Sequence, residues 1–330
     1  MLEQEKYIFE AMENIDRDLE MRGVKLSDRP LMAAMEFVRL FVLDVSHGDK
    51  DAPWNEPWFA IISHHVRDWY QKTYGDALES EKNNFVGVVL IRSLPYELKI
   101  PHTRHEIETE GERIWVVFPS GVDDAETPFD WLVNPPNIDR LSDEATTDLR
   151  AQISYVTSAL RQISANLGTT TKIEGDFSGF ISGIQTELES AARNIIKNTP
   201  DSLQIAVWSI QMAMERTLKA ISIQQRTEYR ESHDLFVLFD DLEGVDNVAP
   251  RDLLKILPRQ KQAVSARYGH SPDLRLSNLT DTYRAAIEFI RLATSMFERK
   301  VKISNARFLI QKPPWLELPS GENGSGRNDA

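Results

Sequence analysis

Three features of this 330-residue sequence predict a mainly α protein. Apolar residues recur at helical spacing over most of its length, strict alternation is confined to the stretch between Phe85 and Phe118, and the longest helical runs lie in the second half. The expected order is an N-terminal α+β region (1–140) of three helices and a small antiparallel sheet, then a helical hairpin connector (141–199). A C-terminal helical bundle (200–303) follows, and last a segment (304–330) whose tail, PSGENGSGRNDA, is composed like a flexible terminus. The length exceeds the roughly 250 to 300 residues that one core organises, so more than one domain is expected.

The first helix places Ile8, Met12, Ile15 and Leu19 on one face, with Gly23 beyond its end. The second opens at Asp28 with Pro30 in its first turn and is predicted to run through Leu31, Met35, Val38, Val42 and Val45 to His47-Gly48. The third follows Pro57, aligns Trp58, Ile62, Val66, Trp69 and Thr73, and stops at Gly75. FVGVVLI, the alternating Tyr96, Leu98 and Ile100, then RHEIETE and IWVVF read as strands, with Glu110-Gly111-Glu112 as a turn and the preceding helices as the surface they pack on. Pro128, Pro135 and Pro136 make 121–140 a loop, anchored by Trp131 and Leu132.

The hairpin's first helix carries Ala145, Leu149, Ile153, Val156, Leu160, Ile163 and Leu167 and closes at Gly168. The second carries Phe177, Ile181, Ile184, Leu188, Ala192 and Ile195. Such a stripe packs within the chain or forms a dimer seam. Asn198-Thr199-Pro200-Asp201 marks the next boundary, with Asp201 as the expected helix cap. The bundle then has four segments. Leu203, Val207, Ile210, Met214, Thr217 or Leu218, and Ile221 line the first. The second opens with Ser232-His233-Asp234 and carries Leu235, Leu238, Phe239 and Leu242. The third runs from Arg251 to Tyr268 and is interrupted at Pro258. The fourth has Leu279, Tyr283, Ile287, Ile290, Thr294, Phe297 and Val301.

The chain has no cysteine, which removes disulfides, thiolate metal sites and thiol nucleophiles. No apolar run approaches the roughly 20 residues of a membrane span, and the charged N-terminus lacks a secretory pattern, so a cytosolic protein is expected. The net charge of −13 is unevenly spread: residues 1–200 hold 20 Lys/Arg against 34 Asp/Glu, and residues 201–302 hold 15 against 14. An acidic surface repels nucleic acid, so phosphate contact is expected from the bundle alone. Between residues 251 and 275, Arg251, Lys255, Arg259, Lys261, Arg267 and Arg275 face only Asp252 and Asp273.

The strings AMERTLKAI, SHDLFVLF, ARYG and DTYRAAIEFIRLA, in this order and spacing, resemble the HEPN family over about residues 201–302. The resemblance implies a helical bundle, often a homodimer with a shared site. Its activity is that of a metal-independent endoribonuclease of toxin, defence or RNA-processing type, or else binding of nucleotides or partners without cleavage. The family's nuclease motif is an arginine and a histidine separated by four to six intervening residues, usually near the start of the last helix. Histidine moves a proton near neutral pH, and arginine neutralises charge developing on phosphate. Here the last helix opens Ser277-Asn278-Leu279-Thr280-Asp281, and no histidine follows.

Arg226 and His233 have that spacing at the junction of the first two bundle helices and are the candidate catalytic pair. The same residues also read as a solvated helix end and a helix start. Arg267, Tyr268, His270 and Arg275, with Asn278 nearby, form a candidate phosphate- or nucleotide-binding loop; Tyr268 also reads as core. His102-x-x-His105-Glu106 and His64-His65-x-x-Asp68 lack the geometry of a metal site, and neither metal nor cofactor is expected. Two function classes remain: an RNA- or nucleotide-binding HEPN-like protein, and a non-catalytic interaction module whose acidic N-terminal region recognises a protein partner.

Overall fold

The spacing of Ile8, Met12, Ile15 and Leu19 is realised in helix α1 (Glu3–Met21), which buries all four. The structure is a computed structural model that describes residues 3–46, 48–78, 84–110, 113–171, 173, 175–257, 264–265, 275–303 and 305–311. Helix α2 (Arg29–Phe41) has Pro30 in its first turn and buries Ala33, Ala34, Phe37 and Val38. It ends short of the expected His47-Gly48. Beyond Val38, Leu40, Phe41 and Leu43 are exposed, and β-branched Val42, half-buried against the core, adopts an extended conformation. Helix α3 (Pro57–Tyr74) stops at Gly75, whose φ of +53° suits a residue without Cβ. Its buried line is Phe59, Val66 and Tyr70, with the expected Trp58, Ile62 and Trp69 half-buried beside it.

These three helices enclose one buried carboxylate. Asp16 Oδ1 accepts from the Tyr70 hydroxyl at 2.7 Å and from Arg29 Nη1 at 3.4 Å, and Oδ2 accepts from the Tyr74 hydroxyl. Burial, reinforced by the bond to Asp16, pushes the Tyr70 hydroxyl well above the usual phenol range, so it remains a donor.

The continuous apolar run FVGVVLI becomes β1 (Asn84–Ile91), buried on both faces, and pairs antiparallel with β2 (Leu94–Pro101), Val89 opposite Tyr96. Arg92 and Ser93 make the two-residue turn, both at positive φ. The faces of this hairpin are covered by α4 (Asp143–Thr169) and α5 (Asp176–Lys197), which follow it, where the expectation had the preceding helices. Gly87 allows the close approach, since a Cβ there would lie 2.7 Å from Val156 Cγ1.

Asn198 ends α5 in the left-handed region, and α6 (Pro200–Arg226) begins at once. Its cap is Thr199, not Asp201: Thr199 Oγ1 accepts from Ser202 N at 3.2 Å and Ser202 Oγ from Thr199 N at 2.9 Å. Helix α6 is the centre of this part of the molecule, packed by α5, α7 (Leu235–Asp240) and α9 (Leu276–Thr294), and it buries polar as well as apolar positions. Helix α8 (Asp252–Ile256) packs on α9. The last helix stops at Thr294, before the expected Val301, because the following backbone pairs with the end of α4: Thr171 N donates to Glu298 O at 2.8 Å and Lys300 N to Thr169 O at 3.2 Å.

A second sheet has the order β3 (Arg104–Thr109), β4 (Arg113–Val117) and β5 (Arg307–Gln311). The chain forms two compact units. One comprises the described residues within Met1–Asn83, Glu106–Trp115 and Leu309–Ala330, and the other Asn84–His105 with Val116–Phe308. These boundaries differ from the expected breaks at 140 and 199. One apolar core runs continuously through β1, β2, α4, α5 and α6 to α9, so the hairpin is part of the bundle's core rather than a connector. Among the described residues, no helix is long and apolar enough to cross a membrane.

Candidate functional site at the junction of α6 and α7

Helix α6 carries two charges where its pattern is otherwise buried, Glu215 and Lys219, one turn apart. Their side chains are 8% and 9% exposed, and Lys219 Nζ donates to Glu215 Oε1 at 2.8 Å. The second oxygen of the carboxylate, Oε2, lies 3.0 Å from Nδ1 of His233. That imidazole is 65% exposed, so Glu215 fixes the ring through one nitrogen and leaves Nε2 on the solvent side of the contact. The Lys219 ammonium also sits 5.2 Å from the centroid of the Tyr229 ring.

The loop that presents His233 is fastened along its length. Thr227 closes α6 at φ +63°, a left-handed conformation that a β-branched residue adopts only under strain. Ser222 Oγ donates to Glu228 O at 2.9 Å, and the Tyr229 hydroxyl donates to Asp176 at 3.1 Å, a bond that raises its pKa above the ordinary value. Gln211 Nε2 donates to His233 O at 2.9 Å. Asp234 then caps α7, its Oδ1 accepting from the backbone N of Phe236 at 2.9 Å.

The two residues of the expected catalytic pair lie at opposite ends of this loop, each on its own carboxylate: His233 on Glu215, and Arg226 on Glu243 at 3.7 Å. The nearest loop cation to His233 in sequence is Arg230, which is 61% exposed and 3.4 Å from Asp241. Arg275 occupies the cap position of α9 and Asn278 its first turn, both exposed. Arg267, Tyr268 and His270 lie outside the described residues. Glu215 and Lys219 were not singled out from sequence, although a glutamate and lysine four apart inside an apolar helix are a legible sign of an internal ion pair.

Among the described residues, no group of three or more His, Asp or Glu side chains is placed to hold a metal ion. His102 of the weighed spacing instead stacks on Phe85, with ring centroids 3.6 Å apart. No protein-family model, curated protein or solved structure matches this chain. Fold and geometry therefore define the class: a mainly α protein presenting an exposed histidine oriented by a buried carboxylate.

Proposed function

We propose that the C-terminal bundle is HEPN-like, that it contacts RNA at the α6–α7 junction, and that it acts as a metal-independent endoribonuclease of toxin or defence type in which His233 carries the proton. One observation supports this reading above the rest: His233 Nδ1 is held at 3.0 Å by a carboxylate buried in the central helix. A carboxylate behind an imidazole fixes its orientation and stabilises the imidazolium that forms when the other nitrogen takes a proton. In the reaction, a ribose 2′-hydroxyl gives its proton to Nε2 as its oxygen bonds to the adjacent phosphorus. The bond to the 5′-oxygen breaks, that oxygen takes a proton from solvent water and leaves as a hydroxyl, and a cyclic phosphate remains; the imidazolium then returns its proton to solvent. Exposed Arg230 supplies positive charge for the phosphate after parting from Asp241. A cytosolic homodimer completes the reading.

Labelled RNA incubated with the full chain in EDTA tests it. Cleavage should fall by about 10²-fold or more in His233→Ala, and the product should carry a cyclic phosphate. Cleavage unaffected by His233→Ala removes the assignment, and neither cleavage nor binding at low salt ends the RNA reading. Light scattering showing only monomer at high concentration removes the homodimer. The second reading, a non-catalytic interaction module with a degenerate HEPN domain, is favoured by one fact: Arg226 is engaged by Glu243 rather than placed at His233.

A further inference from the structure

A cavity that shares no residue with the site at the α6–α7 junction lies among the start of β1, the segments after β2 and β4, and the last turns of α4. It encloses about 140 Å³ and is lined in part by Phe85, His102, Ser120, Arg161, Ser164 and Gly168. A cavity of about 150 Å³ holds a single benzene ring, which sets the size of an occupant at one six-membered ring.

Its charges are already spent. Arg161 is 1% exposed, and its N–H groups are taken by Pro101 O at 3.2 and 2.8 Å, by Gly121 O at 2.5 Å, and by both oxygens of Glu126 at 2.8 and 2.7 Å. It therefore offers no free cation to an anionic ligand. His102 is the other ionisable group of the lining. Burial, with help from the Arg161 cation, lowers its pKa to about 4, so near neutral pH it is uncharged. A charged ligand would lose its hydration without meeting a counter-charge.

Hydrogen-bonding capacity, by contrast, is left over. A neutral imidazole has one donor and one acceptor nitrogen, and neither nitrogen of His102 has a hydrogen-bond partner among the described residues. The Ser164 hydroxyl is likewise without one, and the Ser120 hydroxyl, donating to Asn305 Oδ1 at 3.1 Å, keeps its acceptor lone pairs. The stack of His102 on Phe85 holds the ring still, so these groups are presented in fixed directions.

We infer that this cavity binds one uncharged, six-membered heteroaromatic ring carrying both a hydrogen-bond donor and an acceptor, the chemistry of a pyridone or a free pyrimidine base. The inference does not rest on the ribonuclease reading.

The test uses the full chain and three probes of equal ring size: 2-pyridone, benzene and benzoate, followed by saturation-transfer NMR. Wild type should bind 2-pyridone saturably, with a dissociation constant on the order of millimolar, should bind benzene more weakly, and should not bind benzoate. His102→Phe keeps an aromatic ring against Phe85 but removes both nitrogens, and should weaken 2-pyridone about ten-fold while leaving benzene unchanged. Ser164→Leu should abolish binding by filling the space, with a thermal melt confirming the fold. No saturable binding by wild type, equal affinity for 2-pyridone and benzene, or 2-pyridone affinity unchanged in folded His102→Phe would each overturn the inference. The wild-type comparison decides even where a variant does not fold.

Discussion

Glutamine at position 215 should destabilise the bundle far more than the loss of one carboxylate suggests. The Lys219 ammonium, 9% exposed, has Glu215 as its ion-pair partner at 2.8 Å, and that carboxylate is itself 8% exposed. At an effective dielectric of about 20, two unit charges at this distance attract by about 6 kcal/mol, a gross term that desolvation largely offsets. Removing one partner leaves the desolvation cost of the other uncompensated, so Glu215→Gln should cost about 3–5 kcal/mol. The contact with His233 adds at most about 1 kcal/mol, because that ring is 65% exposed. Glu215→Gln combined with Lys219→Met removes the stranded charge and keeps the volume. The double variant should therefore recover to within about 1–2 kcal/mol of wild type, giving up mainly the contact of Lys219 with Tyr229. Urea titration followed by hydrogen exchange of α6 amides reads both values in the unit concerned. A double variant as unstable as Glu215→Gln, or a single change costing under about 1 kcal/mol, would refute the uncompensated-charge argument.

Two further outcomes follow from other contacts. His102 has a folded pKa of about 4 against an ordinary value of 6.5, so between these values the unfolded chain binds more protons than the folded one. Stability from this residue is thus fully present above about pH 6.5 and lost as pH falls towards 4, with Arg161 opposing and Glu189 favouring the charged ring; melting temperature against pH should be flatter over this window in His102→Phe. Gly87→Val should cost about 1–3 kcal/mol by overpacking, because the new Cβ meets Val156 at 2.7 Å and has Ile100 and Leu160 at 3.5 Å; an unchanged urea midpoint would show that β1 and α4 separate freely there.

The helices were legible wherever one apolar face recurs at three and four residues. Ile153, Val156, Leu160 and Ile163 of α4 are all buried as their spacing predicts. Periodicity names a face but not its partner, which is why the β1–β2 hairpin was assigned to the wrong layer of helices. It also fails at helix ends, as at Thr294, where the stop depends on what the following backbone pairs with. At the candidate site, His233 was visible from its spacing to Arg226. The residue that orients it was not, because Glu215 lies 18 positions earlier, inside a stripe read for its apolar members. Arg161 was hidden in the same way among the leucines and isoleucines of α4, although a lone arginine on a buried face must find carbonyl and carboxylate partners somewhere in the fold.

The course of the apolar core through β1, β2, α4, α5 and α6 constrains how the molecule can be dissected. A fragment starting at residue 200 would keep the resemblance-bearing helices, yet α6 would lose the whole of its cover from α5, including Ile184, Leu188, Ala191 and Ile195. It would present a long apolar flank to water and self-associate through it. The smallest piece that retains this core begins near Asn84, more than a hundred residues before the sequence resemblance does.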